Sequence, residues 1–225
     1  MRKDGATVAE LEQAAVIELD ALLDESRGNG AVTTTIDLAG MAGIIADNID
    51  DHFPAAEAAD RQVLCLAEEV GEFVGAFRRA NGMARRSGTF GEMRAELADV
   101  VITTYVSAHV LGISLSDSMR PVLSFLSHGP DVTGIEQVLA LVSKAGQFAD
   151  AYRHGDGKSE VRTTLEEIAF LAYAVASVLG IDLEAAIADK LAIIFTRGWK
   201  EPRLECDNCG MVFDPTVNPP RSNLT

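Results

Sequence analysis

At 225 residues and 48% apolar composition, the chain has room for one domain, or two small ones packed together, with a substantial core. Its formal net charge of −15 argues against general affinity for nucleic acid, because phosphate backbones are bound through basic surfaces. Three cysteines are too few for a disulfide framework, and no membrane span or apolar signal region is apparent, so we expect a cytoplasmic protein.

Abundant alanine and leucine, few aromatic residues and scarce strand-like alternation predict an all-α fold. A first helix is expected over residues 8–27, before the glycines at 28 and 30. Thr35 is the predicted cap of a second helix that ends at Pro54. A third helix is predicted from about Ala55 to Ala80, with an apolar seam formed by Leu66, Val70, Phe73 and Phe77.

The third helix carries the first of two acidic pairs. Glu69 and Glu72 lie three positions apart, so both face the same side of the helix, next to its apolar seam. Glu68 precedes the pair directly. The two carboxylates are therefore expected at the edge of the core and not in bulk water.

The second acidic pair, Glu96 and Asp99, lies on a fourth helix predicted from about Glu92 to Leu111. That helix is apolar nearly all round, which is typical of a buried helix. Burying two carboxylates is costly unless they are paired or bind a metal. Two such helices packed together would bring four anions to one point, where they repel strongly unless cations lie between them. Mg²⁺, or Mn²⁺ in its place, prefers such oxygen ligands and is usually shared with substrate phosphates.

The second half of the chain repeats the first. The stretch at 64–82 matches 139–157 at an offset of 75, and VLGISL matches VLGIDL at an offset of 68. We interpret this as an internal duplication of a helix–loop–helix unit. Three of the four acidic positions do not survive in the second copy, where the equivalents of Glu69, Glu72, Glu96 and Asp99 are Lys144, Gln147, Thr164 and Glu167.

The last predicted helix, about residues 183–197, is followed by a proline-rich tail that contains Cys206 and Cys209. A tetrahedral zinc site needs four ligands, and the sequence has no second such cysteine pair. Zinc would therefore need ligands from elsewhere or from a second chain. A reduced cysteine pair in an irregular tail is the simpler interpretation.

The pattern E-x-x-E, a loop, then E-x-x-D resembles the MazG-like, all-α nucleoside triphosphate pyrophosphohydrolases. The resemblance implies a four-helix-bundle type of fold and Mg²⁺ held by Glu69, Glu72, Glu96 and Asp99. It implies cleavage between the α and β phosphates of a nucleoside triphosphate. The duplicated arrangement is similar to the tandem members, such as the dimeric-type dUTPases. It predicts an N-terminal helix and linker at 1–34, a catalytic repeat at 35–127, a degenerate repeat at 128–199 and an irregular tail at 200–225.

Several cations are candidates for binding the substrate phosphates. The resemblance assigns this role to Lys190 and Arg197, near the last helix. Four arginines at the end of the third helix and in the following loop could also reach the phosphates, because arginine suits bidentate contacts: Arg78, Arg79, Arg85 and Arg86. Of these, Arg78 is our principal candidate. Lys144 would place a positive charge where the second copy has lost its metal site. Glu68 and Glu72 are both candidates for the base that activates water.

Other interpretations remain open. The chain could instead be a non-catalytic helical regulator that binds a nucleotide or a protein, or a pyrophosphohydrolase of a phosphoribosyl-linked nucleotide. A di-iron carboxylate bundle is disfavoured, because no histidine has a glutamate three positions before it. The preferred base and the choice between monomer and homodimer also stay open.

Overall fold

The computed structural model describes residues 36–53, 55–115, 133–155 and 157–196. These residues form six α-helices, one short 3₁₀ turn at Ala55–Glu57 and no strand, so the all-α prediction is confirmed. The bundle arrangement and the duplication remain predictions. The helices are α1 (Leu38–His52), α2 (Ala58–Ala80), α3 (Phe90–Val110), α4 (Gly134–His154), α5 (Lys158–Leu179) and α6 (Leu183–Thr196).

Side-chain caps determine where α1 and α3 begin. The α1 cap is Asp37, whose carboxylate accepts a hydrogen bond from the Gly40 N–H at 2.9 Å, so the prediction of Thr35 as the cap was wrong. Helix α3 begins two residues earlier than expected, because Thr89 and Glu92 form a reciprocal capping box. A second capping box, formed by Thr133 and Glu136, starts α4.

Helix α3 is the central element of the described structure. It packs against α2, α1, α6 and α5, while α4 packs against α5 and α2. Its apolar surface on almost every side, as expected from the sequence, explains why so many elements contact it. Residues from both predicted repeats contribute to one hydrophobic cluster.

The apolar positions that match between the repeats occupy equivalent places in the structure. Leu66 on α2 and Leu141 on α4 are both fully buried, and so are Phe73 and Phe148, each about two turns later. The α2–α3 pair and the α4–α5 pair are therefore built on the same apolar spacing. What differs between them lies on the polar faces.

Within the described ranges, no single helix is both long enough and apolar enough to span a membrane; α5 and α6 reach that limit only as a pair bent by 114°. The predicted helix at 8–27, Arg197, and the Cys206–Cys209 tail lie outside the described residues. The first and last predicted domain segments, 1–34 and 200–225, lie there too.

Candidate metal centre

Two facing stripes of polar residues define the candidate site between α2 and α3. On α2 the stripe contains Glu69 and Glu72, one turn apart and flanked by the buried Val70 and Phe73. On α3 it contains Glu96 and Asp99, flanked by the fully buried Leu97 and Val100. The helical spacing thus places all four predicted ligands at the boundary between core and solvent.

Three of the four carboxylates converge. One oxygen each from Glu69, Glu72 and Glu96 lies within 4.8 Å of the other two. Glu69 and Glu96 are partly buried, whereas Glu72 is exposed to solvent. Opposite ligands around an octahedral Mg²⁺ lie about 4.2 Å apart, so this spacing is compatible with three ligands of one ion. We call Glu69, Glu72 and Glu96 the acid triad.

The acid triad is electrostatically strained in the absence of a cation. Burial is the main cause that raises the pKa of Glu69 from 4.5 to about 7, and the charges of Asp99, Glu72 and Glu96 raise it further. Lys190 opposes this rise. The pKa of Glu96 is also raised, again chiefly by burial, and is held down by Lys190 and Arg79. A divalent cation among these oxygens would relieve the repulsion, so the donor set fits a hard metal ion.

Asp99 is held differently from the acid triad. Its carboxylate forms an ion pair with the Lys190 ammonium, which reaches across from α6. The Asp99 side chain is 13% exposed and that of Lys190 is 23% exposed. Beside this pair, Arg94 of α3 and Asp189 of α6 form a second ion pair at 2.5 Å. Two adjacent ion pairs therefore join α6 to α3 next to the acids.

Arg79 is the arginine that lies at the site, although the sequence favoured Arg78. The Arg79 charge acts on Glu96, whereas the exposed Arg78 side chain donates a hydrogen bond to the Met83 carbonyl at 3.2 Å. The loop after α2 folds back on Arg79, and a Cβ added to Gly88 would lie 2.7 Å from the Arg79 Cβ, so this approach requires glycine. Helical periodicity in the sequence could have identified Arg79, because positions 69, 72, 76 and 79 lie on one face of a helix.

Lys144 lies on α4, and its side chain contacts residues of α4 and α5. Its ammonium contacts Glu167 and the Gln147 side-chain oxygen, each at 2.7 Å. The positive charge that the sequence offered to a substrate is therefore neutralised by a neighbouring carboxylate. The hydroxyl of Thr164, at the Glu96 position, is buried and donates to the Val161 carbonyl at 2.9 Å.

Cys65 lies one turn before Glu69, at the inner end of the α2 stripe. Burial and the charges of Glu69 and Glu68 raise the pKa of its thiol to about 11, and a hydrogen bond with Thr103 of α3 opposes this rise. The thiol is therefore protonated at neutral pH and is a poor metal ligand. It acts as a small, uncharged contact between α2 and α3 beneath the acids.

The chain matches no family model, no curated protein and no solved structure in comparisons with known proteins.

Proposed function

We propose that this protein is a Mg²⁺-dependent nucleoside triphosphate pyrophosphohydrolase, which releases a nucleoside monophosphate and pyrophosphate. The observation that carries the proposal is the acid triad at the edge of the core between α2 and the largely buried α3, with a Glu69 pKa raised to about 7. Partly buried carboxylates such as Glu69 and Glu96 are costly unless a cation compensates them, which favours a metal-binding role for this cluster.

The negative charge of the acid triad favours a phosphate ligand that binds together with a metal cation. A bare triphosphate would be repelled by carboxylates in a chain of net charge −15. Glu69, Glu72 and Glu96 would instead hold Mg²⁺, or Mn²⁺, that arrives with the phosphates. A bound ion would neutralise negative charge on the leaving pyrophosphate and would lower the pKa of the attacking water molecule.

The residues around the acid triad have separate roles in this proposal. The charges of Arg79 and Lys190 both act on Glu96, and these two cations would contact phosphate oxygens and orient the nucleotide. Glu68 is exposed and lies outside the acid triad, one turn from Glu72. Since Glu72 is used as a ligand, Glu68 is the carboxylate left to accept the proton of the attacking water.

A substrate panel tests this proposal. Purified protein is incubated with Mg²⁺ or Mn²⁺ and each of the common ribonucleoside and deoxyribonucleoside triphosphates, together with phosphoribosyl-ATP, and the pyrophosphate and monophosphate are quantified separately. Pyrophosphate in equal amount to the monophosphate is expected from at least one nucleotide. The Arg79→Gln variant should raise KM about tenfold, the loss of one charge-assisted hydrogen bond, while Arg78→Gln should leave it unchanged.

Absence of pyrophosphate from every nucleotide with either metal would contradict the proposal. If calorimetry then showed tight binding of an intact nucleotide, the protein would be a non-catalytic nucleotide-binding module. Turnover restricted to phosphoribosyl-ATP would identify the narrower activity. The three outcomes are distinguished by product and not by rate.

A further inference from the structure

The proposed function gives Lys190 a contact with phosphate, but it does not explain why the Lys190 ammonium already pairs with Asp99. The sequence makes Asp99 an equal partner of the three glutamates, but its carboxylate is not among the oxygens that lie within 4.8 Å of one another. It is still close enough to Glu69 to be the charged group that raises the pKa of Glu69 most. Asp99 therefore belongs to the site without belonging to the acid triad.

The Lys190 ammonium takes the place beside Asp99 that a cation would otherwise take. Both side chains are largely buried, and their charges are in direct contact. Lys190 also acts on Glu69 and Glu96, where its charge opposes the rise in pKa. A single ammonium thus compensates three of the four carboxylates from one position.

The backbone of α6 holds Lys190 at that position. Ile187 and Leu191, on either side of it in the helix, are fully buried, so α6 cannot rotate without exposing them. The adjacent Asp189 pairs with Arg94 of α3 at 2.5 Å. The backbone that carries Lys190 is consequently held in place beside the acids.

We propose that Lys190 is a built-in counter-ion, which reserves the Asp99 side of the site and limits the nucleotide-free protein to one divalent ion, at Glu69, Glu72 and Glu96. A second divalent ion beside Asp99 would meet a positive charge already in contact with its ligand. The inference rests on the proposed metal centre, but it concerns how many ions the protein binds before the nucleotide arrives.

Mn²⁺ binding to the nucleotide-free protein tests the inference without any turnover. Free Mn²⁺ is followed by electron paramagnetic resonance during titration, and calorimetry gives the heat of each site. The wild type should bind one ion per chain. Lys190→Met should bind two, or bind the first at least tenfold more tightly, because Asp99 loses its ammonium. Lys190→Arg keeps the charge and should bind one.

Two matched controls separate the role of Lys190 from a general effect of removing an ion pair. Lys144→Met breaks the pair with Glu167 in the second helix pair, and Arg94→Met breaks the neighbouring contact between α3 and α6. Both should keep the stoichiometry of the wild type. Asp99→Asn should still bind one ion, because the acid triad is intact, so the inference stays testable if Lys190→Met fails to fold.

The outcomes separate this inference from the proposed function. One ion of equal affinity in wild type and in folded Lys190→Met would overturn the role of Lys190 and leave the metal centre standing. Two ions in the wild type, or none in Asp99→Asn, would also overturn it. No uptake by any of the proteins would remove the metal centre itself.

Discussion

The α2–α3 pair and the α4–α5 pair share an apolar frame and differ in the polar residues placed on it. In the first pair, the carboxylates of Glu69, Glu72 and Glu96 converge, and beside them the Lys190 ammonium from α6 forms an ion pair with Asp99. In the second, Lys144, Gln147 and Glu167 satisfy one another at hydrogen-bond distance. The comparison teaches that the apolar spacing determines how each helix pair packs. The excess of negative charge distinguishes the candidate metal centre on α2 and α3 from the equivalent surface on α4 and α5.

The largest expected effect is the loss of activity when a triad carboxylate is neutralised. Glu72→Gln should reduce kcat/KM for pyrophosphate release by about a thousandfold, on the order of removing a preorganised electrostatic group. The equivalent change in the second pair, Gln147→Glu, alters a residue with no role in the proposed chemistry and should change kcat/KM by less than about twofold. Equal losses from the two changes would break the comparison.

The shared apolar frame should respond equally at its two equivalent leucines. Leu66→Ala and Leu141→Ala each remove a fully buried side chain and should each lower the free energy of unfolding by about 2–5 kcal/mol. Urea denaturation followed by circular dichroism measures both. If Leu141→Ala were much less destabilised than Leu66→Ala, the α4–α5 pair would not be part of the same cooperative core.

The stability of the metal-free protein should fall with rising pH because of Glu69. Its pKa is about 7 in the folded protein and 4.5 ordinarily, so between these values the folded state binds a proton that the unfolded chain has released. The stabilisation is fully present below about pH 4.5 and is lost as the pH rises through about 7. After allowance for solvent screening of this partly exposed group, the loss is about 1–2 kcal/mol.

Denaturation in EDTA at a series of pH values measures this loss, and Glu69→Gln supplies the reference because it removes the titrating group. The wild type should lose stability relative to Glu69→Gln as the pH rises. Lys144→Met should retain the wild-type slope. A difference between wild type and Glu69→Gln that does not vary with pH would contradict the electrostatic strain assigned to the acid triad.

The smallest expected effect comes from giving the second pair the charges of the first. The double change Lys144→Glu and Gln147→Glu would place two new carboxylates near Glu167 and remove an ion pair. It should destabilise the protein by about 1 kcal/mol in EDTA, and Mn²⁺ should recover part of this loss by binding the folded state. Differential scanning fluorimetry with and without Mn²⁺ measures both effects, with Lys144→Met as the control that adds no carboxylate.

The features of the structure that depend on spacing along a single helix could be predicted from the sequence. The two acidic pairs, the helices that carry them and the buried seam follow from helical periodicity, and the structure places them accordingly. The start of α3 was predictable too, since Thr89 and Glu92 have the spacing of a capping box. The start of α1 was not predicted, because the cap is Asp37, two residues after the expected Thr35.

What the sequence could not predict depends on contacts between distant helices. The separation of Asp99 from the acid triad follows from the approach of α6, and spacing within α3 contains no information about it. The close approach of Gly88 to Arg79 depends on how the loop after α2 folds back. The neutralisation of Lys144 similarly follows from α5 lying against α4.

The ion pairs between α3 and α6 also have a consequence for synthesis. Arg94 and Asp189 lie 95 positions apart in the chain, and Lys190 follows directly. During translation, Glu69, Glu72 and Glu96 are therefore synthesised well before Lys190, whose charge opposes theirs. The described helices α4 and α5 are translated between the acidic residues and α6, and only a polypeptide made at least through α6 contains both the acids and Lys190.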